Sequence, residues 1–245
     1  MKITSFRAGW KTRHLVLLVL SIVGTYGFLE MRAQWSEMHR WNRAVADVSL
    51  LMIATTMLLG PLARLFPSLR SLLPWRREFG IYGVILFIIH AVIILVGWVQ
   101  WDLMRLVGFE WHPQGFYVMF QKGFGIGNII GVVAVVYGIG LALTSSDWSQ
   151  RWMGGPTWKF FQQSSYILWI LVVLHTAYFL YIHFLDFDRP TPEPNEMQWP
   201  FAIIVGLVSF MQTAAFIKTW RQRKAPGKQR SGAIDPLQED VMQQG

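Results

Sequence analysis

The sequence predicts an all-α integral membrane protein built as a six-transmembrane-helix bundle. Three observations carry that prediction. The chain has 245 residues, of which 53% are hydrophobic, and its mean hydropathy is positive at +0.35. Six of its stretches are apolar over the length of about 20 residues that a helix needs to cross a bilayer. Its Lys and Arg residues are crowded into every second connection, the bias that orients membrane helices.

The spans fall near residues 14–30, 44–63, 79–101, 123–145, 164–186 and 200–220. The first lacks an A-x-A-like cleavage site before Glu30, so a retained helix is expected rather than a signal peptide. Together they form one domain, 1–220, and 221–245 is expected to be a basic, disordered cytoplasmic tail. The connections are short, so no flavin or nicotinamide domain is expected, and no G-x-G-x-x-G follows a strand pattern. Most of the 13 Trp fall at or beyond span ends, as an aromatic belt at headgroup level; Trp169, inside the fifth span, is an exception. The connection 102–122 is apolar and aromatic, which predicts an interfacial, re-entrant or partner-docking segment. The connection 186–198 is acidic and carries Pro190, Pro192 and Pro194, which predicts an extended outer loop.

If the N-terminus is cytoplasmic, 16 of the 22 Lys and Arg lie on the inner side, at 1–13, 64–77, 146–163 and 218–245. The six others are Arg32, Arg40, Arg43, Arg105, Lys122 and Arg189. Both termini are therefore predicted cytoplasmic. The net charge of +8 reports topology and contact with anionic lipid, not nucleic acid. The chain has no cysteine, which excludes disulfides, iron–sulfur clusters and thiolate ligation of haem.

Of the six histidines, two stand out. His90 lies 11 residues from Phe79 and 11 from Trp101. His175 lies 11 from Ser164 and 10 from Leu185. At 1.5 Å per residue each is about 16 Å from either span end, near the midplane. Imidazole at that depth is costly and points to function. Spacing alone leaves two readings open: shared haem or metal ligation, or a pair of buried histidines hydrogen-bonded to neighbouring helices. Zinc is disfavoured because no third or fourth ligand lies at this depth in the sequence. His14, His39 and His112 read as interfacial or loop residues. His183, two turns beyond His175, reads as structural or as lining the outer edge of the same cavity. Gly123, Gly127 and Gly131 repeat every four residues, a stripe that lets helices approach closely or makes room for a planar group.

The segments around these histidines resemble the ferric-reductase-like transmembrane family, and within it the haem-binding membrane subunit of bacterial methionine sulfoxide reductase systems. The resemblance rests on Pro61-Leu62-Ala63-Arg64, then Arg76-Arg77-Glu78-Phe79-Gly80 before His90. It continues through Leu143-Thr144-Ser145, Trp158 and Tyr166 before His175. It covers about residues 44–186. It implies a haem b with His90 and His175 as axial ligands, in an electron-transfer subunit of an oxidoreductase rather than a complete enzyme. The donor would be a quinone or flavin reductase on the cytoplasmic side of a bacterial inner membrane, with FMN as a second candidate cofactor. The acceptor would be a periplasmic or membrane protein subunit, such as a molybdenum-containing reductase. On this reading Arg76 and Arg77 pair haem carboxylates or a flavin phosphate, or simply anchor the inner end. Tyr166 and Trp169 flank a haem face or pack apolar neighbours. The family usually carries another His 13 residues before the last one. This chain has Gln162 there, which implies one haem rather than two. The alternative is a structural or accessory subunit of a larger membrane complex that keeps the fold without the redox role. A self-contained ferric or oxygen reductase is disfavoured by the lack of flavin and nucleotide domains.

Overall fold

The structure, a computed structural model, describes residues 9–119, 123–183 and 195–224. The tail beyond 224 and most of the acidic, Pro-rich loop lie outside the described residues. Six helical spans are present: Trp10–Glu30, Glu37–Leu65, Trp75–Val99, Phe124–Leu143, Gly155–Ile182 and Gln198–Arg223. The elements are α1 (Trp10–Glu30), α2 (Glu37–Leu65), α3 (Trp75–Ile93), α4 (Leu103–Leu106), β1 (Phe109–His112), β2 (Phe116–Met119), α5 (Phe124–Leu143), α6 (Asp147–Met153), α7 (Gly155–Gln163), α8 (Ser165–Ala177) and α9 (Gln198–Lys224). The last helix continues four residues past the expected domain boundary at 220.

Two ends of the bundle can be told apart. At one, the start of α1, the start of α3 and the ends of α2 and α9 come together. Arg13 pairs with Glu78 at 2.7 Å, and Lys218 Nζ donates to the carbonyls of Arg64 and Leu65 at 2.9 and 3.0 Å. We call this the terminal face. The opposite end carries the antiparallel hairpin β1–β2 and is called the hairpin face.

α2 is the central helix, packed against α1, α3, α8 and α9. In lipid, close packing and interhelical hydrogen bonds rather than the hydrophobic effect hold spans together. Gly83 of α3 shows how. A Cβ there would lie 2.8 Å from Ile53 Cγ1, so only glycine lets the two helices meet, and Ser49 Oγ donates to the Gly83 carbonyl at 2.8 Å. Pro61 sits inside α2 and has no N–H to give the carbonyl of Met57. Gln212 of α9 donates to that carbonyl at 2.8 Å, so a side chain from the last helix closes the gap left by the proline.

Residues 102–119 are more ordered than an apolar loop. Asp102 caps α4 by accepting from Met104 N at 3.0 Å, and Asn128 of α5 donates to the Leu106 carbonyl at 2.7 Å. β1 and β2 are joined through Pro113-Gln114-Gly115, with Gly115 at φ +94°, a left-handed position natural to glycine.

α3 and α8 share one irregularity. α3 passes into a π-helical segment, Ile94–Val99, and α8 into another, Tyr178–Ile182. Each begins within four residues after His90 or His175. Single π turns in otherwise α-helical segments are frequent at functional sites.

Candidate functional site

The two spans bring His90 and His175 face to face. Their ring centres are 6.2 Å apart and the planes cross at 79°. Measured along their helices, both histidines lie nearer the ends at the hairpin face. His90 lies 15 residues beyond Trp75 and nine before Val99, and His175 lies 20 beyond Gly155 and seven before Ile182. The pair therefore sits toward the hairpin face. These two spans begin before their apolar stretches, at Trp75 rather than 79 and at Gly155 rather than 164.

Each ring is oriented by a backbone carbonyl. His90 Nδ1 is 3.2 Å from the Asn42 carbonyl and His175 Nδ1 is 2.8 Å from the Gly127 carbonyl. A carbonyl only accepts, so each Nδ1 carries the proton and donates, which leaves the lone pair on Nε2. Fixing that tautomer through the other ring nitrogen is the usual arrangement for a metal-binding histidine. Two imidazoles on opposite sides of one metal, at about 2 Å per bond, place their ring centres about 6 Å apart. His90 and His175 are the residues that would hold a metal, each through Nε2. Among the described residues no group of three or more His, Asp or Glu side chains converges.

The glycine stripe seats this pair. A Cβ on Gly131 would lie 2.7 Å from His175 Nδ1, and one on Gly127 would collide with the Tyr178 ring. Both glycines are needed for close packing of α5 on α8, and that packing sets the position of the ligand ring. Gly123 lies just before α5 at φ +79°, where it starts the helix.

His90 and His175 line a cavity of about 310 Å³, within the size range of small-molecule sites. Phe87 stacks near the His90 ring at 6.1 Å and Phe179 lies 5.0 Å from the His175 ring. His183 lines the cavity as one reading of the sequence allowed. His39 lines it too, because α2 begins earlier than its apolar run. Toward the hairpin face the wall becomes charged. Arg32 pairs with Asp47, and the Arg43 guanidinium lies 3.7 Å over the Trp35 ring. Sequence reading counted these arginines only for topology. The missed signal was Arg43 and Asp47 at i, i+4, which share one face of α2.

A second cavity, of about 630 Å³, opens at the terminal face. Arg13, Arg64, Arg76, Arg77 and Lys159 line it, with Glu78 as the counter-charge. The three other candidate cofactor residues do not line the histidine cavity. Arg77 lines this second cavity and donates to Asp147 at 2.6 Å. Tyr166 lines it as well and gives its hydroxyl to Gln212 Oε1 at 3.1 Å. Trp169 lines neither cavity and is buried in the main apolar core. Asp147 is exposed, and the hydrogen bond and charge of Arg77 hold its carboxyl below the usual carboxylate range. Gln162 also lines the second cavity. It donates to Thr144 Oγ1 at 3.1 Å and accepts from Ser145 Oγ at 3.3 Å, while Trp158 Nε1 donates to the Thr144 carbonyl at 2.8 Å. The Leu-Thr-Ser exit of α5 is thus the anchor for α7.

The molecule is thus a six-span bundle with two facing histidines toward one end and a basic cavity at the other. The chain belongs to the ferric reductase like transmembrane component family, which it matches over residues 43–168. That family has a membrane electron-transfer role, and its domains generally bind haem. The match includes His90 and ends seven residues before His175. No curated protein matches the chain.

Proposed function

We propose that this protein is a membrane b-type cytochrome subunit that holds one haem b between His90 and His175. It moves electrons from a quinol or reduced flavin on the cytoplasmic side to a protein acceptor outside. The observation that carries this reading is the pair of facing imidazoles with Nδ1 committed to the Asn42 and Gly127 carbonyls. When bound, haem supplies a one-electron iron couple, and two histidine ligands favour electron transfer over oxygen binding.

The chain's own residues do the rest. Phe87 and Phe179 keep the ligand rings in apolar surroundings. The Lys and Arg bias supports a cytoplasmic terminal face, in a bacterial inner membrane by resemblance. The cations of the second cavity suit an anionic donor, an FMN phosphate among them, and Val84, Leu141 and Leu168 offer an apolar wall for a quinol ring. Gln162 stands where a second inner haem would need a histidine, which supports a single haem.

The test is a reduced-minus-oxidised spectrum of the purified protein from haem-supplied cells. A sharp b-type α band is expected, lost in His90→Ala and in His175→Ala. A colourless, well-folded wild-type preparation would refute the proposal and favour an accessory role.

A further inference from the structure

Three of the four arginines on the hairpin face, among the described residues, gather beside the histidine cavity. Arg40 and Arg43 belong to the first two turns of α2, and Arg32 packs against that helix through Asp47. Arg32 is 3% exposed. Arg43 has no ion-pair partner among the described residues and rests on the Trp35 ring. Arg40 gives one nitrogen to the Leu29 carbonyl at 3.1 Å, while its Nε is buried with no partner. Among the described residues Asp47 is the one acid lining this end of the cavity, and Glu30 and Glu37 are exposed. Among the described residues, then, three arginines share one acid near the end of the spans, where charge is costly unless paired.

Resting on the haem assignment above, we infer that Arg43 and Arg32 receive the two carboxylates of the porphyrin. Its carboxylate edge then faces the hairpin side. The matching is chemical. An iron porphyrin with two carboxylates supplies acids to a cluster that has one among the described residues. Both arginines line the cavity that holds His90 and His175. Arg's planar fork suits carboxylate pairing. Arg77, the residue the sequence suggested for this task, lines the other cavity.

The experiment titrates cofactor-free protein in detergent with ferric protoporphyrin and with its dimethyl ester, reading the bis-histidine spectrum. Comparing the preference for the diacid across variants isolates the carboxylate–arginine coupling. The wild type is expected to prefer the diacid. Arg43→Gln should shrink that preference about tenfold, since a hydrogen bond to a charged group contributes roughly that factor. Arg43→Lys should keep part of it, and Arg77→Gln should leave it unchanged. An unchanged preference in both Arg43→Gln and Arg32→Gln, with the bis-histidine spectrum intact, would overturn this inference and leave the haem assignment standing. So would a collapse of the preference in Arg77→Gln. Uptake of neither porphyrin by the wild type would sink the haem assignment and this inference together.

Discussion

The two cavities share α2, α3 and α8 and even one side chain, because Ile53 lines both. They differ in how their polar groups are held. Around His90 and His175, each ring is pinned by a backbone carbonyl, seated against a glycine or a phenylalanine, and approached by arginines that are themselves engaged. The terminal cavity is twice as large and lined by long cationic side chains, with Arg13 and Arg77 tied to carboxylates at its edge. The first arrangement suits a group bound once and kept. The second suits a partner that arrives and leaves, attracted by charge but not locked by geometry.

The largest expected effect comes from breaking the first arrangement without touching a ligand. Gly131→Leu drives a side chain into the His175 ring, and cofactor content per protein should fall close to zero while membrane insertion persists. Overpacking of this kind costs about 1–3 kcal/mol. Full cofactor content in that variant would show that the stripe does not set the ring. Next, Gln212→Leu leaves the Met57 carbonyl unpaired beside Pro61 and should lower stability by about 1–3 kcal/mol. Thermal unfolding in detergent measures this, and the absorption spectrum should not move. A spectral shift would mean that the two halves of the bundle are less separate than their contacts imply.

A smaller effect is expected on rate. Lys159→Gln combined with Arg76→Gln should slow reduction by an anionic donor about three- to tenfold, as loss of steering charge does, with no change in cofactor content. Stopped-flow reduction at low and high salt distinguishes this from a folding defect, since the difference should shrink as salt rises. The smallest effect belongs to Asp147. Its carboxyl is depressed by Arg77, so the contact contributes above the unfolded carboxyl value of about 3.9 and is lost as pH falls through the folded value. Asp147→Asn should flatten the pH dependence of unfolding in that acidic range and leave neutral behaviour nearly unchanged.

The six spans were legible because apolar length is a strong signal, and the histidine pair because imidazole is rare in such segments. The helix ends were less legible than the spans. Span ends were placed where hydropathy falls, but the residues from Glu37 to Arg43 are polar and still helical, stabilised by packing inside the bundle. The hairpin was missed although Pro113-Gln114-Gly115 between FEWH and FYVM is a turn signal, since four-residue strands are too short for alternation to register. The bond from Gln212 to Met57 spans 155 residues. Pro61 announced an orphaned carbonyl but not the side chain that would answer it. Tyr166 and Trp169 were grouped with His175 by nearness along the chain and line no part of its cavity, whereas Arg77 lies at the start of α3, where the sequence puts it.

The π-helical segments after His90 and His175 have a consequence for how the molecule can change. Each widens one turn, so the chain beyond it is out of phase with the chain before it. Side chains on the hairpin side, Trp98 and His183 among them, are thereby decoupled in rotation from the ligand-bearing turns. Substitutions or one-residue deletions there can re-aim the surface a partner would meet while the histidines keep their places.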